Sequence, residues 1–93
     1  MPYRLRFSDY AKAQFAAMVP AFRTAMEPHL LRLAATPVTL SMPGAPPASL
    51  PDRQIFAFGF ELDGQKYTGR VHFRYGTDEQ TLHIIAISAI EHA

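Results

Sequence analysis

Two alternating runs joined by Asp63-Gly64 constrain this chain more than any other feature of its sequence. Phe56, Phe58, Phe60 and Leu62 alternate with Ala57, Gly59 and Glu61, the period of a strand with one apolar face. Asp-Gly is the pair that a two-residue type I′ turn demands, because both central residues must take positive φ. If Leu62 then faces Gln65, the register follows. Phe60 lies opposite Tyr67, Phe58 opposite Gly69 and Phe56 opposite Val71 on one face, while Glu61 meets Lys66 and Ala57 meets Arg70 on the other. The apolar sets coincide without adjustment, and a slip of one residue would turn all of them to solvent. The run 66–75 sends Tyr67, Val71, Phe73 and Tyr75 inward and Lys66, Thr68, Arg70, His72 and Arg74 outward. Residues 76–79 make the next turn. The stretch 82–90 is apolar on both faces (Ile84, Ile85, Ile87), as suits a central or helix-covered strand.

The N-terminal part changes period. Tyr3, Leu5 and Phe7 alternate with Arg4 and Arg6, which predicts a short half-buried strand. Ser8-Asp9 can cap a helix start, and Ala11, Phe15, Met18 and Phe22 then recur at helical spacing. Pro20 biases Val19 away from helical angles but suits a first helical position, so one helix ends near Met18 and a second begins at Pro20. The second carries Phe22, Met26, Leu30 and Leu33 as its apolar stripe, with Arg23, Glu27 and Arg32 facing water. Pro28 lies inside it and predicts a kink or a local break. Pro37, Pro43, Pro46, Pro47 and Pro51 make 36–53 a stiff irregular connection, with a short extended piece at 38–42. With 93 residues there is no room for two cores, so residues 1–93 form one domain containing that Pro-rich loop. The class is α+β in the order β-α-α-β-β-β, with two N-terminal helices packed on one face of a largely antiparallel four-stranded sheet.

Nine Lys+Arg against eight Asp+Glu leave a net charge of +1, so a nucleic-acid role requires positive charge gathered on one face. The absence of cysteine removes disulfides and thiolate metal sites. No leader-like segment or long apolar run is present, which reads as a soluble, unsecreted, cytoplasmic chain without membrane contact. The concentrated charge lies on the outward side of 66–75. There Lys66, Arg70, His72 and Arg74 follow one another with no acid among them, alternate residues being about 6.6–7 Å apart. Arg4 and Arg6 join that face if the first strand shares the sheet. Such a pitch is close to the phosphate repeat of an extended nucleic-acid strand, and guanidinium groups engage phosphate bidentately. The same pattern is also ordinary for the wet face of an antiparallel sheet.

His72 faces His83 if the turn is 76–79. Two imidazoles without a carboxylate are fewer ligands than a catalytic zinc needs, so no metal or other cofactor is expected. His72 between two arginines is placed for acid–base work, and the neighbouring cations disfavour its protonated form. His92 reaches the sheet only if the tail docks. His29 reads as a surface or boundary residue. Phe56, Phe58 and Phe60 could stack bases, but their register with Tyr67, Val71 and Phe73 assigns them to the core.

Several segments together resemble the RelE/ParE toxin superfamily of bacterial toxin–antitoxin systems, over nearly the whole chain. They are the opening Tyr3-x-Leu5-x-Phe7-Ser8, the Leu30, Leu33 and Pro37 spacing, the run from Gly69 to Tyr75, Asp78-Glu79, and the run from Leu82 to Ile87. Gly69 stands where such toxins usually carry tyrosine, and Ser88-Ala89 replaces a closing basic–tyrosine pair. The resemblance implies a metal-free endoribonuclease acting on mRNA, in the ribosomal decoding site, and restrained by an antitoxin protein. Arg70 and Arg74 are the expected phosphate clamps, with His72 or His92 as acid–base group and Lys66, Arg4 and Arg6 binding RNA. The alternatives are a non-catalytic module of the same fold, directed at gyrase or binding an antitoxin-like partner as a retired toxin, and a homodimer joined through sheet edges.

Overall fold

The computed structural model describes residues 2–37, 42–43, 53–78 and 80–92. The elements are β1 (Arg4–Phe7), α1 (Asp9–Ala17), α2 (Pro20–Ala35), β2 (Met42–Pro43), β3 (Gln54–Leu62), β4 (Gln65–Tyr75) and β5 (Thr81–Glu91). The sheet runs β1-β5-β4-β3-β2, with every pairing antiparallel except β1 with β5. The α+β class and the expected order hold. The two-residue β2 adds a fifth strand at the edge, and most of the Pro-rich connection, including 38–41 of the expected extended piece, lies outside the described residues.

The β3–β4 hairpin has the register that its alternation predicts, from Leu62 opposite Gln65 to Phe56 opposite Val71. Asp63 and Gly64 take φ of 51° and 79°, as a type I′ turn requires. Directly opposite Phe58, Gly69 is buried beneath its ring: a methyl built on Gly69 would lie 2.4 Å from Phe58 Cζ. The ring covers the backbone that the glycine leaves bare.

The next pairing departs from expectation. The Asp78 carboxylate accepts from the Gln80 and Thr81 backbone N–H groups at 3.0 and 3.1 Å and from the Thr81 hydroxyl at 2.9 Å. The turn is therefore longer than 76–79, and Gly76 N–H donates to the Thr81 carbonyl at 2.8 Å to close it. Pairing starts two residues further on than a four-residue turn gives, with Tyr75 opposite Leu82. A bulge between His72 and Phe73 then leaves Ile85 as an extra residue on β5. His72 thus faces Ala86, and His83 faces Arg74 rather than His72. The bulge also explains a strand apolar on both sides, because it lets Ile84 and Ile87, three apart, both be buried against the helices.

Ser8 ends β1 and starts α1. Its hydroxyl accepts from Ala11 N–H at 3.0 Å and donates to the Ile85 carbonyl at 3.0 Å, so the helix cap is tied to β5. Past β1, Gln14 Oε1 accepts from Ile87 N–H at 2.8 Å, completing an edge that would otherwise stay unpaired. α1 ends at Ala17 as Pro20 dictates. Arg23, expected to face water, is half-buried and donates to the Ala16 and Met18 carbonyls, both at 3.1 Å, capping the C-terminus of α1. Of the kink or local break expected at Pro28, the break does not occur: α2 is continuous through it. Pro28 and Thr24, whose carbonyl loses its partner, are both exposed, so water can satisfy that carbonyl.

The core lies between the helices and one sheet face, with Ala11, Met26, Leu30 and Leu33 meeting Phe56, Phe58, Val71, Phe73, Leu82, Ile84 and Ile87. Phe22 of α2 closes the hairpin end against Tyr67 and Phe60, at 4.8 and 5.9 Å between ring centroids. His29 stacks on Phe58 at 4.2 Å, a boundary residue as expected. Tyr75, expected inward, is 37% exposed at the rim, edge-on to Tyr3.

Candidate nucleic-acid interface

With the helices filling one face, β4 presents Lys66, Thr68, Arg70, His72 and Arg74 on the other. The strands beside it are low there. Arg70 lies between Ala57 and Ser88, and Thr68 between Gly59 and Ile90, so the charged side chains stand above a floor of mostly small residues. Neither Arg70 nor Arg74 is engaged by a carboxylate among the described residues. Arg74 faces His83 on β5, and His83 faces Arg6 on β1. A second row, Arg6–His83–Arg74, therefore crosses three strands at about 4.8 Å per strand and meets the β4 row at Arg74. Arg4 pairs with Thr81 further toward the turn. It stands near Asp78, whose carboxyl is held below the usual range by its hydrogen bonds from Gln80 and Thr81 and, less strongly, by Arg4.

His72 occupies the middle of the face and is half-buried, and its Nδ1 is shielded with no hydrogen-bond partner among the described residues. Burial lowers its pKa from 6.5, and the Arg53 and Arg70 charges lower it further. The ring is therefore neutral at pH 7 and can accept a proton there. At the other end the tail docks as required: His92 N–H donates to the Lys66 carbonyl at 2.9 Å, and Gln65 Nε2 donates to the His92 carbonyl at 2.5 Å. The His92 ring shares a hydrogen bond with the Thr68 hydroxyl through Nε2. A shallow cleft of about 340 Å³ opens there between Gly59, Glu61, Lys66, Thr68 and His92.

Arg70 is thus flanked by two imidazoles, His72 on one side along β4 and His92 above Thr68 on the other. The fold gathers Lys66, Arg70, His72, Arg74 and His92 on one face, sets Arg6 at its far end, and places Arg4 beyond, next to an acid. Sequence reasoning placed His83 on the basic face opposite His72; the longer turn keeps it on that face but sets it opposite Arg74. The Asx-type bonding capacity of Asp78 was the signal for the longer turn. Among the described residues no group of three or more His, Asp or Glu side chains could hold a metal ion, and no helix is long and apolar enough to cross a membrane.

A parallel edge strand, two helices over one face and a long antiparallel β4–β5 pair define the fold of the RelE-type toxins, and this chain has that fold. It is similar to the RelBE2 toxin–antitoxin complex of Mycobacterium tuberculosis, at 19% identity and a TM-score of 0.69 over 95% of this chain and 98% of that one. The intact E. coli RelBE complex is similar at 15% identity and a TM-score of 0.63, over 92% and 94% of the two chains. A free E. coli RelE toxin with two arginines replaced by alanine gives 13% identity and a TM-score of 0.64, over 95% and 83%. No protein-family model matches the chain, and no curated sequence does.

Proposed function

We propose that this chain is a RelE-like toxin that cuts mRNA as an endoribonuclease through the exposed face of β4. The observation that carries the reading is Arg70 flanked by two imidazoles on an open, acid-free stretch of strand. A phosphodiester on Arg70 places the 2′-hydroxyl of one nucleotide toward His72 and the leaving oxygen toward His92. Neutral His72 takes the hydroxyl proton as the oxygen attacks phosphorus, and the bond to the 5′-oxygen breaks. His92 supplies the proton that this oxygen needs, leaving a 2′,3′-cyclic phosphate and a 5′-hydroxyl. Arg70 meets the charge that develops on the phosphoryl oxygens, with Arg74 and Lys66 holding phosphates further along the strand on either side. The substrate alone provides the nucleophile, so the reaction requires no metal. The bound complexes among the similar structures support an antitoxin-like protein partner, and the ribosome is the proposed place of action.

The test is incubation of purified protein with RNA and analysis of the ends. Wild type should yield cyclic phosphate and 5′-hydroxyl ends, and Arg70→Ala should lower the rate about 10²–10³-fold with the melting temperature unchanged. The second reading, a binding module without catalysis, is supported by Ser88, which stands opposite Arg70 on this face near the closing end of β5 and carries no charge there. It predicts intact transcripts at every protein concentration, with gyrase or an antitoxin-like protein as the ligand.

A further inference from the structure

We infer that Arg6, His83 and Arg74 form a second phosphate subsite, which holds a phosphodiester of the same single strand about two nucleotides from the one on Arg70. This rests on the reading that the β4 face takes RNA. Three observations carry it. The three side chains belong to directly paired positions on β1, β5 and β4, so Arg6 and Arg74 each stand one strand spacing from His83, on either side of it. No described carboxylate engages Arg6 or Arg74, so both guanidinium groups are open to an anion. Second, Gly76 leaves room for the His83 ring to lean toward the turn: a methyl built on Gly76 would lie 3.0 Å from His83 Nε2. His83 Nε2 therefore lies beside Gly76, at the turn end of this corner. The acid of this corner, Asp78, has an oxygen 3.2 Å from the same point and is already bonded to Gln80 and Thr81.

Third, the spacing fits a strand. Arg74 is four residues from Arg70, about 13 Å along β4, close to twice the phosphate repeat of an extended chain. The two charge rows meet at Arg74 roughly at right angles. The backbone therefore follows β4 from Arg70 and turns there across β5 toward β1. A dinucleotide held at Arg70 does not reach this corner, whereas a tetranucleotide or longer does.

The experiment titrates 2′-O-methyl oligonucleotides of two to six nucleotides, which resist cleavage, onto wild type, His83→Gln and Arg6→Gln. Wild type should bind the longer oligonucleotides about tenfold or more tightly than the dinucleotide, the worth of one charged hydrogen-bonding site. Both variants should lose most of that ratio. The salt slope of the six-nucleotide ligand should flatten by about 0.7 for the phosphate no longer neutralised. All three positions are at the surface or half-buried, so the variants should fold, which circular dichroism checks. A ratio unchanged in both variants, or a wild type without a length step that still binds the dinucleotide, overturns the subsite and leaves the RNA reading standing. No binding at any length overturns both.

Discussion

His72 is the residue on which the proposed chemistry turns, and its environment fixes a measurable sign. Burial, then Arg53 and Arg70, lower its pKa from 6.5. As a base it must be unprotonated, so kcat/KM should rise with pH along a limb whose midpoint lies below 6.5. His72→Gln should remove that limb together with most of the activity, and a limb at or above 6.5 would assign the base elsewhere. Gly69 poses a packing question at the same scale. The Phe58 ring occupies the place of a side chain there, so Gly69→Ala should cost about 1–3 kcal/mol in urea denaturation, by overpacking and not through any loss of charge.

At the scale of elements, the hairpin and the Ser8 junction are the points where a single substitution should be felt. Gly64 sits at a φ of 79°, a region that L side chains rarely enter. Gly64→Ala should destabilise by about 1–2 kcal/mol while leaving the register intact, which cross-strand amide contacts in NMR would report. Ser8→Ala removes both the cap of α1 and the bond to the Ile85 carbonyl, and should cost about 0.5–2 kcal/mol. The β5 register shows where element-level reading stops. Asp78 bonds Gln80 and Thr81 to lengthen the turn, and the bulge at Ile85 re-aligns the rest of the strand. Neither alters the alternation visible in the sequence enough to be counted from it, yet the turn carries His83 from His72 to Arg74 and the bulge sets His72 opposite Ala86. The tail is similar: Lys66 and Thr68 lie twenty or more residues from His92, and only the β4–β5 pairing makes them its hydrogen-bond partners.

For the whole molecule, two half-buried histidines couple folding to pH. His29, against Phe58, has a lowered pKa through burial and then the Arg32 charge, and His72 is lowered as well. Groups that bind protons less readily when folded contribute stability that is complete above the unfolded value of 6.5 and is lost as pH falls through 6.5 toward their folded values. The urea midpoint should therefore drop between pH 7.5 and 5, and the double change His29→Gln with His72→Gln should flatten that drop. An equal slope in the double variant would show that other groups govern the acid limb.

The hairpin and the face on which each β4 residue lies were determined by the sequence alone. A period of two, a turn pair with positive φ and matched apolar sets are local constraints, and no distant contact is needed to satisfy them. The first helix end and the start of the second were legible for the same reason, since Pro20 acts on its own neighbours. Tertiary structure decided the rest. Whether Arg6 would stand in line with Arg74 depended on a parallel pairing between strands more than seventy residues apart. The position of His92 depended on the tail finding the Lys66 carbonyl. Such contacts are fixed by the closure of the whole sheet around one core, and no window of the sequence contains both partners.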